Sequence, residues 1–223
     1  MVKLPLVNQA IFYEGTIEEN GIAHILREIY LDRVYSFLDG KKDLTIVDVG
    51  ANLGLTAVYF SRFAKQIYAL EPSSEHFANL VKSLEYNGIT NVKTINKAIF
   101  TESGKFPFGG PPQNKTMRSL HMATWENGKP IETVDVITLP QLFEEEKIDH
   151  VDLLKVDIEG NEIELFNSRS FADVASKIDM ILTEQHAWSG RNHNQLVEAL
   201  KENGYEVSGI PNQAELVFAK RLK

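Results

Sequence analysis

The sequence has no cysteine. Disulfides, thiolate metal sites and cysteine nucleophiles are therefore excluded. Long apolar runs are missing too: none approaches the roughly 20 residues that span a bilayer, and no basic segment followed by an apolar core stands at the N-terminus. A cytoplasmic protein with no membrane span is the expectation. Basic residues are in deficit, 23 Lys and Arg against 31 acids for a formal charge of −8, and they form no long run. A tRNA or DNA partner, which needs a basic face, is disfavoured. The six histidines are scattered without a His-x-x-x-His pair, so no metal site is expected. What is present is ordinary for a soluble chain: 43% apolar residues over 223 positions, enough for one domain with a substantial core.

The rest of the chain is organised around residues 44–56, Leu-Thr-Ile-Val-Asp-Val-Gly-Ala-Asn-Leu-Gly-Leu-Thr. Leu44 to Val49 is a β-branched apolar run, the pattern of a buried parallel strand ended by Gly50. From Leu53 onward apolar residues take helical spacing at Ala57, Val58, Phe60, Phe63 and Ala64. The glycines thus occupy a tight strand-to-helix turn. Such a turn aims backbone N–H groups and the positive end of a helix dipole at the carboxyl edge of a sheet, where open α/β folds bind ligands. A dinucleotide fingerprint requires glycine where this chain has Asn52, because pyrophosphate nearly touches the backbone there. The spacing is instead Gly-x-x-x-Gly preceded by Asp48, an acid that repels pyrophosphate and suits a ligand carrying an ammonium and a sulfonium.

Residues 1–20 read as an extended arm or loops, and residues 21–38 as an amphipathic helix with one break that caps the ligand pocket or covers a sheet edge. Residues 1–43 are accordingly expected to form an N-terminal arm and helical cap, and residues 44–223 the ligand-binding domain. A second strand, residues 66–70, ends in Glu71-Pro72-Ser73, 21 residues after Gly50. That is close to the interval of about 20 residues at which an acid reaches the ribose hydroxyls of an adenosine ligand. A helix capped by Ser73 or Ser74 follows and stops at Asn87-Gly88. Strand Val92–Ile95 then leads to Asn96 and Ala98, which in such a fold lie beside adenine. Residues 99–138 read as an inserted β-hairpin region. Its Asn114, Arg118, Ser119, His121 and Trp125 face a substrate or are ordinary polar loop residues.

After a short helix at 139–146 comes Val151-Asp-Leu-Leu-Lys-Val-Asp-Ile-Glu-Gly-Asn-Glu-Ile-Glu164, a strand followed by a helix. Asn161 and Glu164 have capping-box spacing. Lys155, Asp157 and Glu159 alternate, which places them on one side of the strand exit, where mutual ion pairing offsets their burial. A structural ion-pair network and a catalytic cluster both fit that pattern. A further strand at 178–183 ends in Glu184-Gln185-His186, bringing His186 to the same edge. Helix 192–203 precedes two strands, 205–210 and 215–219, joined by only four residues; they must be antiparallel.

With the turn, Glu71, Lys155-Val-Asp-Ile-Glu-Gly-Asn-Glu162 and Glu184-Gln-His186 in order, the chain resembles the FkbM family of S-adenosylmethionine (SAM)-dependent methyltransferases over roughly residues 24 to 219. The resemblance implies a Rossmann-like class I α/β fold, mostly parallel with a C-terminal antiparallel hairpin. It implies SAM as cofactor, S-adenosylhomocysteine (SAH) as product, and methyl transfer to a hydroxyl of a small molecule, sugar or natural product. Some members act instead on peptide side-chain amides. It assigns the methionine end of SAM to Asp48, Gly50, Asn52 and Gly54, the ribose to Glu71 beside Pro72, and the adenine to Asn96 and Ala98. Asp157, Glu159 and His186 would surround the acceptor, with His186 or Asp157 as base and Lys155 orienting the reacting oxygen. No Asn/Asp-Pro-Pro-Tyr segment follows the fourth strand, unlike the amino-group enzymes that use it. A nicotinamide-dependent reductase and a non-catalytic SAM-binding module are the readings of other classes. The acceptor's identity and the oligomeric state stay open.

Overall fold

The computed structural model describes all residues except 5–8, 19, 112–114, 116, 122–128, 187–191, 211–212 and 223. The chain begins with β1 (Val2–Leu4), β2 (Gln9–Ile11) and α1 (Ile22–Tyr30), then a 3-10 turn at Ser36–Leu38. Next come β3 (Leu44–Val49), α2 (Leu55–Phe60), β4 (Ala64–Leu70), α3 (Ser74–Tyr86) and β5 (Val92–Ile95). β6 (Ala98–Ile99), β7 (Gly104–Gly110) and β8 (Lys129–Ile137) follow, then α4 (Leu139–Glu145) and β9 (Val151–Val156). The last part holds α5 (Glu162–Phe166), α6 (Arg169–Ala175), β10 (Ile178–Glu184), α7 (His193–Glu202), β11 (Tyr205–Ile210) and β12 (Gln213–Arg221).

Seven strands form the main sheet in the order β11-β12-β10-β9-β3-β4-β5. Pairings from β10 through β5 are parallel, while β12 runs antiparallel to both β10 and β11. The chain moves outward from β3 on one side and from β9 on the other, so β3 and β9 bound the crevice where α/β sheets take ligands. Helices cover both faces, which is why β3 and β9 are mostly apolar and buried along nearly their whole length. Alternate residues serve two cores: Val47, Val49, Leu154 and Val156 face one, Ile46 and Leu153 the other.

The expected strands are present, together with the antiparallel C-terminal pair. Two departures have local causes. α2 is short: Phe63 N–H bonds back to the Phe60 carbonyl and the chain enters β4 at Ala64, so the apolar spacing at 63–64 belongs to a turn and a strand start. The one break expected in the first helical segment falls after Tyr30, and Arg33 takes a left-handed φ of 52° there. The arm holds a hairpin, β1 with β2, stapled to the end of α3 by Asn87. That side chain accepts from the Ala10 N–H at 2.9 Å and donates to its carbonyl at 2.6 Å. β7 and β8 form the expected inserted hairpin, with β6 as a third strand, and a bridge from Gly109 to Ser119 folds the inserted segment back toward the main sheet's carboxyl edge.

Candidate active site

The β3–α2 turn is left-handed at three places, with φ of 80° at Gly50, 50° at Asn52 and 87° at Gly54. This geometry sends the Asn52 N–H to Glu71 Oε2 at 2.8 Å, while the Ser73 N–H reaches Oε1 at 2.8 Å. Glu71, at the end of β4, is thus fixed through both oxygens and is 4% exposed. Burial pushes its carboxyl up to about 7 even against those two N–H donors. It lines a cleft with about 610 Å³ of empty space, the solvent at its open mouth included. Pro72, Ala98, Ile99, Phe108 and Leu120 supply apolar walls.

Apolar walls around one anchored carboxylate suit a ribonucleoside: a flat base against the walls, a diol against the acid. Two buried polar atoms without hydrogen-bond partners among the described residues, Asn52 Oδ1 and His76 Nε2, belong to residues lining the same cleft. Buried polar atoms are rarely left unmet, so the residues fit the adenosine end of SAM.

The residues expected to hold SAM divide. Gly50, Asn52, Glu71, Pro72 and Ala98 line the cleft. Asp48 does not: fully buried, it accepts from Thr56 Oγ1 at 2.6 Å and lies 3.5 Å from Lys155 Nζ. Gly54 instead lets α2 pack on α3, since a β-carbon there would lie 2.5 Å from Leu80 Cδ1. Asn96 is exposed and donates to the carbonyls of Glu71 and Pro72, holding the cleft's rim from outside rather than lining it. Among the inserted residues, Arg118 and Ser119 line the cleft, and the Arg118 guanidinium is tied to Glu75 at 3.0 Å and to Ser73 Oγ at 3.2 Å. His121 contributes its N–H to Asn161, and Asn114 and Trp125 lie outside the described residues.

A second pocket, about 530 Å³, shares Gly50, Asn52 and Asp157 with the first. Ile25 and Glu28 of α1 line it, so this helix borders the second pocket and not the cleft around Glu71. Leu182, Glu184 and Leu216 close the other side. Lys155 lies at its base, 3.3 Å from Asp157 Oδ2 and 3.4 Å from the Gly50 carbonyl. Burial alone would lower the Lys155 ammonium's pKa, but Asp157 and Asp48 overcome it and hold the group charged.

His186 is buried among carboxylates. Its Nδ1 lies 3.0 Å from Glu162 Oε1, and its Nε2 lies 3.3 Å from Glu159, 3.8 Å from Asp157 and 4.0 Å from Glu184. Desolvation opposes charge on the ring, yet the Glu162 hydrogen bond, then Glu159 and Asp157, raise its pKa to about 10. Glu184 is pushed up to about 8, first by burial and then by Asp157, and burial raises Glu159 well above the carboxylate range. The acids expected here therefore converge, but not by strand alternation. β9 ends at Val156, and a left-handed turn at Glu159 (φ 52°) and Gly160 (φ 100°) swings the loop toward His186.

Glu162 was hidden in the sequence behind the expected capping box. Asn161 makes no side-chain cap; its Oδ1 accepts the His121 N–H at 3.0 Å. Glu162 accepts from the Ile158 and Gly160 N–H groups, which the left-handed turn aims inward, as well as meeting His186. Glu28 and His76 gave no motif of their own; only the approach of separate elements reveals them. Against the expectation from scattered histidines, Asp157, Glu162 and His186 bring donor atoms within 4.8 Å of one another, as do His150, Asp152 and Asp179. In the first set the Glu162–His186 bond already engages two of the three donors. The second lies at the opposite, N-terminal end of β9 and β10.

Known proteins resemble this chain in sequence or in fold. Methyltransferase 1 of Beauveria bassiana is 28% identical over 182 residues, covering 73% of each chain. The hexuronic acid methyltransferase AglP of Haloferax volcanii is 23% identical over 82% of this chain and 73% of its own. The crystal structure of magnesium protoporphyrin IX methyltransferase from Synechocystis, with bound SAM, superposes with a TM-score of 0.57 at 11% identity, covering 96% of this chain and 87% of that one; it shares the fold. Residues 48–207 match the methyltransferase FkbM domain, and the chain belongs to that family of SAM-dependent methyltransferases.

Proposed function

We propose that this enzyme methylates a hydroxyl group of a neutral small molecule or sugar, bound in the pocket between α1 and the ends of β9, β10 and β12. The observation that carries this reading is the meeting of the two pockets at Gly50, Asn52 and Asp157, with carboxylates ringing the far side. The nucleoside end of SAM belongs in the first pocket, against Glu71. Its methionine end belongs near Gly50 and Asn52, and the acids of the junction favour its ammonium and sulfonium.

SAM brings a methyl carbon already activated by its positive sulfur. The chain's own task is then to position an acceptor oxygen and to take its proton. The two bases expected from sequence separate on charge. His186 has a carboxylate against each ring nitrogen and carries a proton on both, so it serves as a cation that organises the acids. Asp157 is held by Lys155. Glu184, lining the acceptor pocket with its pKa raised to about 8, is the group suited to receive the hydroxyl proton in its ionised form, which gains population as pH rises toward and past 8. Lys155 stabilises the oxygen as that proton leaves.

Similarity to a hexuronic acid methyltransferase supports a sugar-like acceptor. The acids Glu28, Asp157 and Glu184 around the pocket favour an acceptor without a carboxylate close to its reacting oxygen. The test is SAH release from SAM across matched panels of neutral glycosides, uronates, amines and side-chain amides. Turnover confined to amines or amides would overturn the reading, and a preference for uronates would overturn the charge argument.

A further inference from the structure

We infer that His76 reads the adenosine part of the cofactor, its buried Nε2 forming a hydrogen bond with the nucleoside. His76 stands in the first turn of α3 and lines the cleft with Glu71 and Pro72. It is 3% exposed, and among the described residues Nε2 has no hydrogen-bond partner. A histidine kept only for packing normally has its nitrogens satisfied by neighbours. This one is buried, unmet and set in the wall of a ligand cleft. The missing partner is therefore supplied by what the cleft takes up.

The position is specific. His76 Nδ1 lies 4.0 Å from Glu71 Oε1, too far for a hydrogen bond but near enough to set the imidazole beside the carboxylate assigned to the ribose. Charge agrees with geometry. Arg118 and Lys115 approach the ring, with Glu75 between them and pairing both. Burial first, and Arg118 second, lower the imidazole's pKa to about 4, so it meets the nucleoside uncharged. A neutral ring both donates and accepts without repelling a ligand that carries a sulfonium. Either a ribose hydroxyl or the adenine edge offers the required chemistry.

Titration calorimetry with SAH tests this on the whole chain without any acceptor. His76→Phe keeps the ring and removes both nitrogens; it is expected to bind SAH about tenfold more weakly, equivalent to about 1.4 kcal/mol. Its melting temperature without ligand should hold or rise, because an unmet polar atom leaves the interior. His76→Gln, which restores polar atoms, should recover part of the affinity. S-inosylhomocysteine, 3-deazaadenosylhomocysteine and the 2′-deoxy analogue of SAH then locate the contact. The analogue lacking the contacted atom binds wild type and His76→Phe equally. Wild-type affinity for SAH in His76→Phe would overturn the inference. So would a loss equal for every analogue accompanied by a lower ligand-free melting temperature, which would mark a packing role.

Discussion

Gly50 and the Asp157 carbonyl approach so closely that a β-carbon on residue 50 would lie 1.9 Å from that oxygen. The Asp157 N–H also donates to the Val49 carbonyl at 3.1 Å, so the ends of β3 and β9 are pressed together where the two pockets meet. Gly50→Ala must move backbone, and its left-handed φ of 80° adds to the cost. A loss of about 3 kcal/mol or more in urea unfolding is expected, with SAH binding lost as Asp157 shifts. Gly88→Ala is the control: its φ is also positive, 64°, but nothing stands near its missing β-carbon, so a loss of about 1 kcal/mol is expected. Equal losses in the two variants would show that steric approach is not what Gly50 serves.

Much of this arrangement is legible in the residues themselves. β3 and β9 are visible because burial on both faces leaves mostly apolar stretches with clear stops, and Glu71 because its distance from Gly50 reflects one helix and one strand. Asp48 and Asn96 stand at the expected positions beside the ligand turns, yet each is tied to the protein: Asp48 to Thr56 and Lys155, Asn96 to two carbonyls. Sequence position places a residue near a cleft without deciding which way its side chain turns. The Glu162–His186 contact joins residues 24 apart through a loop whose left-handed turn no local pattern signals. His76 is less legible still, since what marks it is a missing partner.

Glu71 should be the residue on which cofactor affinity depends most. Each of its oxygens accepts a backbone N–H, from Asn52 and from Ser73. Glu71→Gln replaces one acceptor with an NH2 group facing a donor, which disturbs the turn and halves the set of acceptors open to a diol. SAH affinity by calorimetry should fall about 10- to 100-fold, in line with charge-assisted hydrogen bonds of about 1.5–3 kcal/mol. His186→Ala should bind SAH nearly as wild type while turnover drops. Loss of SAH affinity in folded His186→Ala would reverse the division of roles.

Glu162 predicts a stability effect rather than a binding one. It is 3% exposed and satisfies the Ile158 and Gly160 N–H groups as well as meeting the His186 ring. Glu162→Ala leaves those donors buried and removes the strongest support for charge on the imidazole. A loss of about 2–4 kcal/mol in denaturant unfolding is expected. NMR titration should also show the His186 pKa moving down. An unchanged titration would mean that Glu159 and Asp157 alone keep the ring charged.

The same cluster sets the direction of pH dependence in the ligand-free protein. Facing His186 are Glu162 of α5, Asp157 and Glu159 of the preceding loop, and Glu184 of β10. Its pKa is raised from 6.5 to about 10, so between those values the folded state holds a proton that the unfolded state has released. Stability from this group is complete below pH 6.5 and lost as pH rises through 10. Glu71 and Glu184, raised from 4.5 to about 7 and about 8, bind protons more tightly when folded, so they too make stability fall as pH rises, over a lower range. Melting temperature should therefore decline from pH 6 to pH 10, with the part above pH 8 belonging mainly to His186. In His186→Gln that upper part should vanish, because no imidazolium remains to lose its proton. A wild-type melting temperature that rose across this range would mean that the ring is neutral in the folded protein, and His186 would again be available as the base.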